Sequence, residues 1–142
     1  MQADVPPVSE LRFFTDRNLG AKILPGILRA AGWNIVTMNE FYGAGPGEDV
    51  DDVDWIAEAT ARGFLLLGSD SAMASVPREA QTIHMCAARV FAIARKNAQL
   101  RAADQASMYL HSELQIRQLA LRDGPFSFAV SRSGLREQKL LF

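Results

Sequence analysis

The sequence predicts an α/β fold: a single domain with a mainly parallel central sheet of about five strands, flanked by helices in an α/β/α sandwich. Three observations point there. Five short runs are almost continuously apolar, as strands covered on both faces must be. Between them lie longer segments with apolar residues at helical spacing. Gly, Pro, Asn and Asp punctuate the junctions. The length of 142 residues suits one domain, since a chain of that size buries roughly two-thirds of its unfolded surface.

The elements follow in order. Residues 1–10 form a polar, Pro-containing lead, and the domain occupies residues 11–142. Residues 11–15 (LRFFT) read as a buried strand. Residues 19–31 place Ile23, Leu24, Ile27 and Leu28 at helical spacing, with Asn18 as a plausible N-cap, Gly32 as a stop and Pro25 as an expected kink or restart. Residues 34–38 (NIVTM) make the second strand, and the Gly-rich acidic stretch 43–52 is too polar to pack. Asp52 is expected to cap a helix that closes at Gly63. Residues 64–67 form the third strand, Pro77 opens a helix to about residue 88, and residues 90–94 form the fourth strand. One long helix is expected over 98–121. Residues 126–130 alternate as a fifth strand, after which Arg132-Ser133-Gly134 turns into a basic tail.

Composition narrows the function. Hydrophobic residues make up 49% and charged residues 22%, ordinary for a globular protein. No apolar run approaches the ~20 residues that cross a bilayer, and the first ten residues do not resemble a secretory signal. Cys86 stands alone, which excludes an internal disulfide and a thiolate cluster. A cytoplasmic protein is expected. Net charge is −1, yet residues 1–70 hold eleven acids and five bases, and residues 71–142 five acids and ten bases. Such asymmetry suits nucleic-acid contact, and equally two solvated faces of opposite sign.

Parallel strands joined by right-handed crossovers present all their carboxyl ends at one edge, where open sheets bind ligands. Asp16 follows the first strand and Asp70 the third, while Asp52 and Asp54 flank a helix start at the same edge. Carboxylates gathered in one place repel unless a cation neutralises them, and oxygen ligands of this kind suit Mg²⁺ or Mn²⁺. Such an ion can polarise a phosphodiester and acidify an attacking water. Each acid also has a plainer use: Asp52 and Asp70 as helix caps, Asp54 as a complement to the helix dipole. Asp16, ending an aromatic strand, is the hardest to explain without a charged partner.

The runs FFTDRNLG (13–20), DVDWIAEATARG (52–63) and FLLLGSD (64–70) resemble the PIN-like domains, most of all the VapC-type toxins of toxin–antitoxin pairs. GPFSFAVSRSGLR (124–136) is similar to the closing strand of one subgroup. The resemblance spans about residues 11–136 and implies a Mg²⁺- or Mn²⁺-dependent endoribonuclease with an RNA substrate. It also implies a VapB-type antitoxin as partner, and a homodimer or a hetero-oligomer with that antitoxin. The family acids fall on Asp16, on Asp52 or Asp54, and on Asp70. The pattern departs at Gly68, where many members have Thr, and after the fourth strand, where Lys96 and Asn97 stand in place of a fourth acid.

Arg17, Arg78, Arg95, Lys96 and Arg101 are candidates for phosphate contact, with Arg17, Arg78 and Asn97 the substrate-binding set. Glu40 is a possible extra ligand. His84 and His111 lack any second ligand at metal spacing and read as structural. Trp33 and Trp55 read as packing residues. Two rival readings stay open: a non-catalytic scaffold that binds protein or RNA, and a Mg²⁺-dependent phosphatase or receiver-like domain. The absence of an Asp-x-Asp pair after the first strand counts against the latter.

Overall fold

Adjacent phenylalanines in the first strand decide the layering. Successive strand residues point to opposite faces, and Phe13 and Phe14 are both fully buried, one in each of two apolar clusters. The computed structural model describes residues 4–142, so residues 1–3 of the predicted lead lie outside the described residues.

Among the described residues six strands form one sheet: β1 Arg12–Thr15, β2 Asn34–Thr37, β3 Leu65–Gly68, β4 Arg89–Ile93, β5 Phe126–Ser131 and β6 Gly134–Gln138. Their order is β2-β1-β3-β4-β5-β6. Strands β1 to β5 pair in parallel, and β6 returns antiparallel along β5. The helices are α1 Ile23–Ala30, α2 Met38–Tyr42, α3 Asp52–Ala61, α4 Pro77–Cys86, α5 Ala102–His111 and α6 Glu113–Leu119. On the Phe13 face, Leu24, Leu28, Tyr109 and Ile116 from α1, α5 and α6 pack on Leu67, Phe91 and Phe128. On the Phe14 face, Trp55, Ile56 and Ile83 from α3 and α4 pack on Leu66 and Val90. The Trp55 ring stacks on Phe14 at 5.6 Å and Trp33 leans on Phe13 at 4.7 Å, so both tryptophans pack as expected. No helix among the described residues is long and apolar enough to cross a membrane.

Several boundaries differ from the sequence expectation for identifiable reasons. The helix expected from residue 19 begins only at Ile23, so Pro25 lies in its first turn, the restart that the sequence allowed, where no helical hydrogen bond is lost. Asn18 caps nothing. It sits in a short 3-10 turn, Arg17–Leu19, which Asp16 caps. Thr37 and Glu40 form a capping box, which turns Met38 out of β2 and into α2. Asp51, not Asp52, caps α3, its Oδ1 accepting the Val53 N–H at 3.3 Å. The expected long helix breaks at Ser112 into α5 and α6 and starts later, after a 3-10 turn at Arg95–Asn97. The basic tail is a sixth strand: its polar residues suit an edge, where one side faces water.

The loop entering β5 crosses the end of α4 at close range. Ala87 there holds a left-handed backbone with φ 58°, and the Phe126 N–H donates to the Ala88 carbonyl at 3.0 Å. A β-carbon on Gly124 would lie 2.1 Å from the Ala87 carbonyl oxygen, so the backbone itself would have to move. Gly124→Ala is therefore expected to cost about 3 kcal/mol, the upper end for overpacking, seen as a lower urea midpoint. An unchanged midpoint would show that this crossing yields freely.

Candidate functional site

From β1 the chain crosses to β2 on one side, then returns to build β3 and β4 on the other. The crevice between the carboxyl ends of β1 and β3 is thus the point where strand order reverses, the place where such sheets bind ligands. Asp16 follows β1 directly and Asp70 comes two residues after β3.

Asp16 is the tie between them. Its N–H donates to the Leu67 carbonyl at 3.1 Å, extending the β1–β3 ladder. Its carboxylate accepts the Asn18 N–H at 2.8 Å, the Ser69 N–H at 2.8 Å and the Ser69 hydroxyl at 3.0 Å. Burial pushes this carboxyl above the usual aspartate range. The hydrogen bonds from Ser69 and Asn18 oppose that rise, and the nearby charge of Asp52 adds to it. Asp70 turns its Oδ1 onto the Ala72 N–H at 2.8 Å, and its Oδ2 lies 3.5 Å from Arg95 Nη1. Asp52, the first residue of α3, accepts the Trp55 indole N–H at 2.8 Å, which fixes the carboxylate against a buried ring. The Tyr109 hydroxyl lies 3.0 Å from the Gly68 carbonyl and 2.9 Å from that of Phe91, tying the end of β3 to the middle of β4 from within the core.

A fourth acid, unremarked in the sequence, joins them. Glu79 stands in the first turn of α4, and together with Asp16, Asp52 and Asp70 it lines one pocket of ≈ 230 Å³ with Arg95 on the wall. Partial burial, a hydrogen bond to Asp52 and the charges of Asp52 and Asp51 push Glu79 up to about 8, against the pull of Arg78. A signal for it was present. Pro77 marks a helix start just beyond the carboxyl end of β3, and the third residue of that helix faces back toward the strand ends.

The remaining candidates are scattered. Asp54 is exposed and does not line the pocket, since two residues along a helix turn a side chain about 200° away from Asp52. Arg17 donates to the carbonyls of Glu48 and Val50, pinning the end of the Gly-rich acidic loop. Arg78 pairs with the capping Asp51 at 3.3 Å. Asn97 is buried, and its carbonyl receives Gln105 Nε2 at 3.2 Å. Glu40 is occupied by its capping box and by Arg29 at 2.6 Å. His84 and His111 are exposed on α4 and α5 and do not line the pocket.

The pocket offers carboxylate and hydroxyl oxygens, a hard donor set that suits Mg²⁺ or Mn²⁺ rather than zinc. Among the described residues no three acidic, histidine or cysteine side chains stand close enough to enclose an ion by themselves. Mg²⁺ keeps several waters and binds through one or two carboxylates. The residues present fit a cation held in that way.

The PIN-like domain family model matches residues 11–95, from the start of β1 to just past β4. The chain is 34% identical over 134 residues to "Putative ribonuclease VapC45" of Mycobacterium tuberculosis, a match covering 94% of this chain and 96% of that protein. No solved structure matches the chain.

The Glu79 carboxyl generates a pH prediction. Its pKa rises on folding from 4.5 to about 8, so the folded state favours the neutral form. The resulting stability is complete below pH 4.5 and is lost as pH climbs toward 8. Protein kept in a chelator is expected to melt at progressively lower temperature across that window, and Glu79→Gln to flatten the decline. An equal slope in the two proteins would remove Glu79 as its source.

Proposed function

The chain belongs to the PIN-like domain family, and from that premise we propose that it is a Mg²⁺- or Mn²⁺-dependent endoribonuclease, the toxin of a type II toxin–antitoxin pair. The observation that carries this reading is the convergence of Asp16, Asp52, Asp70 and Glu79, from four separate segments, on one pocket at the reversal point of the sheet. The name of the Mycobacterium tuberculosis relative supports a ribonuclease, and with it RNA as substrate and a VapB-type antitoxin as partner.

Asp16, Asp70 and Asp52 would hold the ion, with Asp52 preferred over Asp54 because it lines the pocket. When bound, such an ion would supply Lewis acidity toward the phosphodiester and toward an attacking water. The protein's own contribution is orientation. Ser69 holds the Asp16 carboxylate through two hydrogen bonds, and Trp55 holds that of Asp52. Arg95, 3.5 Å from Asp70, is free at its exposed end to meet a phosphate oxygen and stabilise the charge that builds there. Glu79 stays protonated in the empty pocket up to about pH 8, and a cation there would favour its ionised form.

One observation favours a second reading, a non-catalytic scaffold that binds RNA or protein: the acids do not by themselves enclose an ion. Calorimetric titration with Mn²⁺ separates the two, since a relic site binds nothing that Asp16→Asn abolishes.

Purified protein is expected to cut RNA only with Mg²⁺ or Mn²⁺. Asp16→Asn, checked for folding by circular dichroism, is expected to slow cleavage by at least about 10²-fold, the scale of removing one preorganised electrostatic group. Cleavage at the parent rate would end the assignment.

A further inference from the structure

Beside the acidic pocket runs a larger groove of ≈ 660 Å³, and we propose that it is the track for the RNA phosphodiester backbone flanking the bond that is cut. This inference rests on the nuclease reading and adds to it the path of the strand.

The groove exists because one face of the sheet is only partly covered. On the β5 strand Phe126, Phe128 and Val130 enter the apolar cluster beneath α5 and α6. The alternate residues Ser127, Ala129 and Ser131 face the other way. Among the described residues the cluster beneath α3 and α4 takes Phe14, Leu66, Val90 and Ala92 from β1, β3 and β4, and nothing from β5 or β6. Register carries the row onward: Gly68 pairs with Ala92, Ala92 with Ala129, and Ala129 with Arg136. Paired residues share a face. Gly68 and Ala92 lie under Met73, and where that cover ends Ala129 gives the groove a small floor residue, with Arg136 beside it.

Charge then decides the occupant. Arg95, Lys96 and Arg136 line this groove, and no acid does. That is an unusual wall in a chain of net charge −1. Lys96 and Arg136 make no ion pair among the described residues. Ser131 and Ser133 add hydroxyls at the β5–β6 turn. No aromatic side chain lines the groove, so it lacks the platforms on which bases stack and addresses phosphate and sugar instead.

Continuity joins the two halves. Ala72 and Arg95 line both the groove and the acidic pocket, so a strand seated in one passes directly into the other. Arg95 is the hinge. Its side chain is 75% exposed and lies 3.5 Å from Asp70, a pair weak enough to open, which lets the guanidinium turn toward an arriving phosphate. An acidic protein segment matches the charges equally well, but nothing would require it to continue past Arg95 into a pocket of four carboxylates. A polyanion bridged by a divalent cation has that reason.

The test uses Asp16→Asn protein in Mg²⁺ and a labelled single-stranded RNA oligonucleotide, followed by fluorescence anisotropy over a range of salt. Adding Lys96→Glu and Arg136→Glu is expected to weaken binding at least tenfold and to lower the slope of log K against log salt by about 0.7 for each phosphate that is no longer neutralised. Arg136→Lys is expected to restore most of its share. In the active background the same pair of substitutions should slow cleavage of a long RNA more than that of a dinucleotide, with folding checked by circular dichroism. Unchanged affinity and slope would overturn the groove, even where the parent cleaves RNA well, and would leave an acidic protein as its occupant. A parent that cuts no RNA, yet binds it in a groove-dependent way, would overturn the nuclease and keep the groove.

Discussion

Everything at the functional edge depends on the Asp16 carboxylate reaching 53 residues along the chain to the N–H and hydroxyl of Ser69. These two bonds, with the Asp16 N–H on Leu67, bind the carboxyl ends of β1 and β3 at the one place in the sheet where strand order reverses. They also set the position of Asp70, which follows Ser69 immediately. Asp16 therefore carries two duties in one group. It closes the crevice, and it supplies charge to the pocket that the crevice forms. A buried carboxylate is strongly unfavourable without partners, and three donors offset much of that penalty while burial still raises its pKa.

Much of the fold was legible because burial on both faces leaves a strong mark. β1, β3 and β4 are short, apolar and followed by Asp16, Asp70 and Arg95, so the parallel order and the acidic edge follow from the sequence alone. β6 left no such mark. Gly134–Gln138 is polar, lies at the sheet edge and is partly exposed throughout, and its only local cue was the Arg132-Ser133-Gly134 turn. The break at Ser112 was hidden for a different reason. Apolar positions on α5 and α6 continue the same periodicity across it, and no Gly or Pro marks the interruption.

The site was legible in its strand-end members and obscure elsewhere. Asp16 and Asp70 are placed by strand ends, which sequence shows well. Asp52 and Asp54 differ by a rotation of about 200° around α3, and only the folded helix shows that Asp52 is the one lining the pocket. Glu79 belongs to a helix, and its partner Asp52 is 27 positions earlier, so their meeting is a tertiary fact. Arg17 and Arg78 misled in the opposite direction. Arg17 adjoins Asp16 and Arg78 follows the third strand, which suggested phosphate contact, whereas the fold engages Arg17 with the carbonyls of Glu48 and Val50 and Arg78 with Asp51.

The β6 strand has a second effect that concerns the molecule among its neighbours. Without it, β5 would end the sheet, and an apolar strand carrying Phe126, Phe128 and Val130 would offer its unpaired amides and carbonyls to any extended chain nearby. The hairpin occupies those groups and moves the border outward to a short polar strand bearing Arg136 and Glu137. Charged, brief borders of that kind discourage strand-by-strand growth between copies. The segment that widens the basic surface also covers the apolar edge along which extended chains would add.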